Sequence, residues 1–183
     1  MQGVEKLPQV FGEPARPRTE VRMNTVGLPR PVVEQLLPHL DAFQASLWVL
    51  YHQYHKHHWL VEGETYTELH RFFQECYEQV HESLDRIAER ITLLGGVPTC
   101  HPEELIKRSF LTHEPEGVYA VETMLQHDLR AERELCIQLR GSIALALELN
   151  EHGTRRLLED VLQAAEARAT QLAHFLGDHA ATE

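Results

Sequence analysis

The sequence predicts an all-α protein, a four-helix bundle with one long connection between its second and third long helices. Two observations carry that expectation. Apolar residues recur at spacings of three and four along most of the chain, the mark of amphipathic helices. Proline and glycine, the strongest local breakers, collect where those runs stop. Nothing reads as a strand.

Residues 1–28 contain three of the nine prolines and three of the ten glycines, without a sustained apolar period. They read as an extended or mobile arm. Lys6, Arg16, Arg18 and Arg22 stand there against Glu5, Glu13 and Glu20, so the arm is nearly neutral. The bundle is expected over 29–177, with a short tail at 178–183. Its first helix follows Pro29 and Pro31, with Leu36, Leu37, Leu40, Phe43, Leu47, Leu50 and Tyr54 on one side. Pro38 sits awkwardly in that run, so the helix either begins near it or is kinked there. It should end around Val61 to Gly63. Thr65 to Glu68 has the capping-box form, a side-chain oxygen followed three residues later by a carboxylate, and opens a second helix. Leu69, Phe72, Phe73, Cys76, Val80, Leu84, Ile87 and Ile91 form its apolar face, and Gly95–Gly96 stops it. Residues 97–117 make the central connection, with Pro98, Pro102, Pro115 and a short helix at 103–109. A third long helix spans about 117–149, and Gly153 separates it from a fourth at about 154–176. Four long helices and one long central crossover describe a bundle of the ferritin-like type.

At 183 residues and 43% hydrophobic composition, the chain is expected to form one domain with a proper core. A net charge of −11 argues against a bare nucleic-acid binder and fits a surface that gathers cations. No apolar run approaches the roughly 20 residues of a membrane span. The first twenty residues lack the charged start and apolar stretch of a signal peptide, so a cytoplasmic protein is expected. Cys76, Cys100 and Cys136 are far apart and read as reduced thiols rather than a disulfide framework.

The second helix carries another pattern beside its apolar face: His70, Gln74, Glu78, His81, Asp85 and Glu89. At 100° per residue these fall within about 100° of one another and form one polar stripe. A solvated face with helix-stabilising charge pairs is the plain reading of such a stripe. Here nearly every member is of a metal-competent type, and the stripe borders the apolar face directly. Asp85 and Glu89, four apart, stand on adjacent turns and can share one metal ion. His70 lies about 22 Å from Asp85 along the helix and cannot join them within one chain. One site made from all three needs a second copy of the helix, antiparallel across a two-fold axis. That pairing sets Glu89 opposite His70, Asp85 opposite Gln74 and His81 opposite Glu78, because each pair has the same index sum. Glu78 and His81 also form an E-x-x-H motif, of which intra-bundle di-iron sites use two. The third and fourth helices hold no second copy, so that alternative lacks ligands.

The stretch His57-His58-Trp59 through Gly63, then Leu69-His70 with Phe72-Phe73, then Val80-His81 to Gly95–Gly96, closely resembles the signature of the Dps proteins, the mini-ferritins. The resemblance is strong from about 40 to 96, looser over 100–176 and absent from the arm. It implies a four-helix subunit with a short crossover helix, twelve of which assemble from two-fold dimers into a hollow shell. It further implies iron(II) oxidation at centres on the two-fold interfaces, with hydrogen peroxide or oxygen as oxidant, and ferric mineral stored inside. Position by position, the family's histidines fall on His58 and His70 and its carboxylates on Asp85 and Glu89. Trp59 matches the tryptophan beside the centre, implied to intercept oxidising equivalents. One position departs: where the family commonly has Asp, this chain has Gln74, a neutral amide and a poor iron ligand. His81, one turn from Asp85, stands to replace it. The expected set is then His58 and His70 from one subunit with His81, Asp85 and Glu89 from the other. A histidine-rich set would also admit zinc in competition with iron. For His81 alone, an interface hydrogen bond is the competing assignment.

The remaining histidines of that region, His52, His55 and His57, point elsewhere by helical geometry and read as solvated or interface residues. Trp48 and Phe43 read as core by their spacing. The resemblance also implies acidic pores for iron, and the matching segment offers Glu148, Glu151, Glu159 and Asp160, with Arg155 and Arg156 weakening the negative field. The activity expected is that of a ferroxidase and iron store that disarms peroxide. Two alternatives stand beside it: a DNA-binding protector, disfavoured by the absence of a lysine-rich terminus, and a metal-binding bundle with little turnover, zinc being one occupant.

Overall fold

The first long helix starts where the sequence first supplies a helix-compatible proline. The computed structural model describes residues 12–177; the tail at 178–183, and Glu5 and Lys6 of the arm, lie outside them. Helix α1 runs from Arg30 to Leu60 with Pro31 in its first turn, where a missing N–H costs nothing. Pro38 lies inside this helix, which does not begin there. Val33 and Leu36, 1% exposed each, are core residues, and their burial draws the segment before Pro38 into the helix.

Helix α2 spans Tyr66–Leu93. Thr65 is its N-cap but makes no side-chain capping bond, so the expected capping box does not form. Backbone groups do that work instead: Tyr66 N–H donates to the Gly63 carbonyl, and Gly63 adopts φ 101°. At the other end the sequence expectation holds. Gly96 N–H donates to Ile91 O and Gly95 N–H to Thr92 O, with Gly95 at φ 88°, which is a Schellman stop.

The crossover carries the short helix α3, Pro102–Arg108. Helix α4 spans Val121–Glu148 and α5 spans His152–Leu176. The break between them falls at Leu149–Glu151, ahead of Gly153. Asn150 takes φ 56°, and Glu151 N–H donates back to Ala146 O. The Glu151 carboxylate then accepts from Gly153 N–H and Thr154 N–H, capping α5. Gly153 is the second residue of α5. A Cβ there would sit 2.7 Å from Arg90 Nη2 and 3.1 Å from Glu151 Oε1, so glycine makes room for that ion pair.

Helix α1 packs along α2, and α4 along α5. The two hairpins join through α1 against α4 and α2 against α5, while α3 lies on α1. This is the four-helix arrangement with one crossover that the spacing predicts. Leu40, Phe43, Leu47, Leu50 and Tyr54 of α1 meet Leu69, Phe73, Val80, Ile87 and Ile91 of α2 in one cluster with Leu129, Leu139, Leu158 and Leu172. Each large apolar side chain so buried contributes about 1.5–3 kcal/mol. Trp48 only half joins this core, because one side of its indole faces an open groove.

Residues 12–29 contain no helix, but they are laid against the bundle. The Arg16 guanidinium donates to Gly95 O and Gly96 O, Arg18 pairs with buried Asp41, and Arg22 N–H donates to Gly95 O. No helix among the described residues is long and apolar enough to cross a membrane.

Candidate metal centre

The α1–α2 hairpin brings the end of one helix against the start of the next, and His58 and His70 meet there. His58 Nδ1–H donates to the His70 carbonyl at 2.8 Å, and His70 Nδ1–H donates to the His58 carbonyl at 2.8 Å. Their rings stack at 3.8 Å between centroids, 21° apart. Both rings are half-buried. Because each Nδ1 is taken up by a carbonyl, each Nε2 is the ring nitrogen left to a metal. Neither ring can turn without losing its own bond to the other residue's carbonyl.

From His70 the polar stripe runs along α2 on the face away from the core. Gln74, Glu78, His81, Asp85 and Glu89 are all exposed. The Gln74 amide donates to Glu78 at 2.9 Å. Arg86 and Arg90, which follow the two acidic residues, turn away to α5: Arg86 to Asp160 at 2.9 Å, Arg90 to Glu151 at 2.9 Å and Thr154 at 3.0 Å. Asp85 and Glu89 therefore keep their charge at the surface. Glu78 and His81 face outward too, so the E-x-x-H motif does not address the bundle interior. Among the described residues, no three His, Cys, Asp or Glu side chains converge to hold a metal ion. One chain brings His58 and His70 together and leaves Asp85 and Glu89 apart from them.

Around the histidine pair lies a shell of rings. His55 sits 4.3 Å from Trp59 and 4.3 Å from Tyr77, and Tyr77 touches His58 at 5.4 Å. Burial, then the neighbouring His58, lowers the His55 pKa, and burial with His113 and His55 lowers that of His52. Trp59 is 65% exposed and lines an apolar groove with Trp48, Leu60, Leu105 and Ile106.

The bundle interior holds a polar network that helical periodicity alone did not reveal. His57, expected to be solvated or at an interface, is fully buried. Its Nδ1 bonds Asp128 at 2.8 Å and its Nε2 lies 3.1 Å from Glu114. Lys56 closes on the same Glu114 oxygen at 2.7 Å. One turn along α4, Glu132 accepts from Tyr54 at 2.8 Å and from Arg168 at 2.6 and 3.1 Å. Arg168 thus fills the centre of the bundle with its own cation. The available signal was a pair of acids, Asp128 and Glu132, on the apolar face of α4 and an arginine on that of α5. Of the four acidic residues at the α4–α5 corner, Glu148 is exposed, Glu151 is buried as cap and ion-pair partner, Glu159 pairs with Arg155, and Asp160 pairs with Arg86 and Arg156.

The ferritin-like domain family matches residues 38–181. A nutrient stress-induced DNA-binding protein of Synechococcus sp. is 39% identical over 158 residues, 86% of this chain and 90% of its own. A crystal structure of an archaeal Dps homologue from Halobacterium salinarum superposes with a TM-score of 0.88 at 33% identity, covering 93% of this chain and 95% of that one. A Dps structure from Vibrio cholerae, described as a member of a broad superfamily of ferritin-like di-iron-carboxylate proteins, reaches 0.79 at 25% identity, over 84% and 96%. With a family match over residues 38–181 and relatives matched over nearly their full length, the chain belongs to the Dps proteins of the ferritin-like family.

Proposed function

We propose that the protein oxidises iron(II) at centres shared between two chains and stores the ferric product inside a shell of twelve. The reciprocal bonds between His58 and His70 carry this reading. They hold two imidazole lone pairs ready at one end of an exposed acidic stripe, and such preorganisation suits a metal rather than surface solvation. An antiparallel second α2 brings Asp85 and Glu89 to that end. Two imidazoles with two carboxylates bind iron(II) and favour the ferric product, whose higher charge the carboxylates offset. Peroxide oxidises two iron(II) with two protons to give two iron(III) and two waters. Oxygen is the second oxidant. Gln74, tied to Glu78, supplies no charge, and His81 takes the place of the missing acid. That histidine also lets zinc compete for the centre. Trp59, exposed and packed on His55, is the residue assigned to intercept oxidising equivalents. Three free thiols fit a cytoplasmic setting. Of the acidic corner residues, Glu148 is the one left to draw cations inward, while Glu151, Glu159 and Asp160 hold arginines.

The test is complementation between chains. A chain lacking both histidines (H58A, H70A) and a chain lacking both acids (D85N, E89Q) each lose rapid iron oxidation, by more than about tenfold. Mixed assemblies of the two regain it, because half the centres in each mixed dimer have all ligands intact. A mixture as inactive as its parents refutes the shared site.

A further inference from the structure

Two tyrosines lie between His58 and His81, which the shared-centre reading gives to opposite centres of a dimer. The Tyr77 ring meets His58 at 5.4 Å and Tyr51 at 5.9 Å, both nearly edge-on, and Tyr51 meets His81 at 5.6 Å. His58 packs on His70, and His81 lies 11 residues beyond it, about 16 Å along α2. A continuous file of rings, His58, Tyr77, Tyr51, His81, therefore spans that distance within one chain. Both phenols are half-buried. Trp48 branches from Tyr51 at 5.8 Å toward the open groove.

We propose that Tyr77 and Tyr51 form an electron relay that lets two separately held iron(II) ions reduce one hydrogen peroxide. The inference rests on the shared-centre reading, in which His58 and His81 of one chain belong to opposite centres of a dimer. Peroxide is a two-electron oxidant, whereas each iron gives one electron. The first iron(II) cleaves the O–O bond, becoming iron(III) and leaving hydroxide and a hydroxyl radical. Tyr77 gives that radical a hydrogen atom, forming water and a tyrosyl radical. Tyr51 gives Tyr77 an electron across their ring contact, Tyr77 takes a proton from water and Tyr51 releases one to it, so Tyr51 becomes the radical. The second iron(II), at His81, supplies an electron and water a proton, restoring the Tyr51 phenol. In sum, two iron(II) and one peroxide give two iron(III) and two hydroxides, which two protons convert to two waters, with no radical released.

The assembled native protein, loaded anaerobically with less iron(II) than its centres hold and then given peroxide, provides the test. Freeze-quench electron paramagnetic resonance on protein carrying ring-deuterated tyrosine is expected to show a transient, narrowed tyrosyl signal. Tyr77→Phe and Tyr51→Phe keep the ring packing and remove the phenol. Each is expected to reduce that signal, to lower the iron oxidised per peroxide from two toward one, and to raise spin-trapped hydroxyl radical. Native protein that oxidises two irons per peroxide without a tyrosyl signal, with both variants unchanged, overturns the relay alone. Native protein that does not oxidise iron overturns the functional proposal and the relay together.

Discussion

At the scale of single residues, the buried acids and bases do most to distinguish this chain from a generic apolar bundle. Asp128 is fully buried, and burial pushes its carboxyl up to about 6 against the opposing pull of His57. Burial by itself would lower the His57 imidazole, but Asp128 and Glu114 outweigh it and the value rises. Both groups thus bind protons more tightly folded than unfolded. Their contribution to stability is greatest at low pH and is lost as pH rises, through about 6 for Asp128 and then past the ordinary histidine value for His57. Glu114 and Glu151 oppose this, since hydrogen bonds from Lys56 and from Thr154 lower their carboxyls below the ordinary value despite burial. The difference in unfolding free energy between native protein and Asp128→Asn carries both contributions, because the variant also removes a group that raises His57. That difference should shift in favour of the variant as pH rises from about 4 to about 7. A difference that does not vary with pH would count against it.

At the scale of elements, the ends of α2 show how local chemistry divides between sequence and context. The Gly95 stop is local: a residue at φ 88° ends the helix whatever surrounds it. Context adds a second demand, because a Cβ at Gly95 would collide with the Arg22 carbonyl of the arm. Gly95→Ala should therefore cost more than the roughly 1–2 kcal/mol of the left-handed backbone alone. Gly141→Ala, in the middle of α4 with open space around it, should instead stabilise by about 0.5–1 kcal/mol. Denaturant midpoints of the two variants should move in opposite directions. At the other end of α2, Thr65 and Glu68 carry the capping pattern but the Gly63 carbonyl takes the first N–H. The short turn out of α1 sets the backbone there and leaves the threonine side chain badly placed. Pro38 is carried inside α1 for a like reason: burial on either side outweighs one missing hydrogen bond.

At the scale of the whole molecule, charge and assembly decide what the surface meets. The net charge of −11 repels nucleic acid unless a basic patch overcomes it. Relatives are named for DNA binding, yet Arg16 and Arg18 are here tied to backbone carbonyls and to Asp41. Gel retardation of duplex DNA should be weak even at low salt. Strong retardation that fades with added salt would reverse this expectation. The sequence by itself determined the helices, the core stripes and the polar stripe of α2, because periods of three and four express burial on one face directly. It also paired Asp85 with Glu89, whose shared face follows from their spacing alone. Only the tertiary structure decided the mutual bonds of His58 and His70, the burial of His57 and the place of Arg168 at the bundle centre. The reason is physical: periodicity says which face a residue occupies, while partners on other helices decide whether a polar group there is satisfied, buried or left to a second chain.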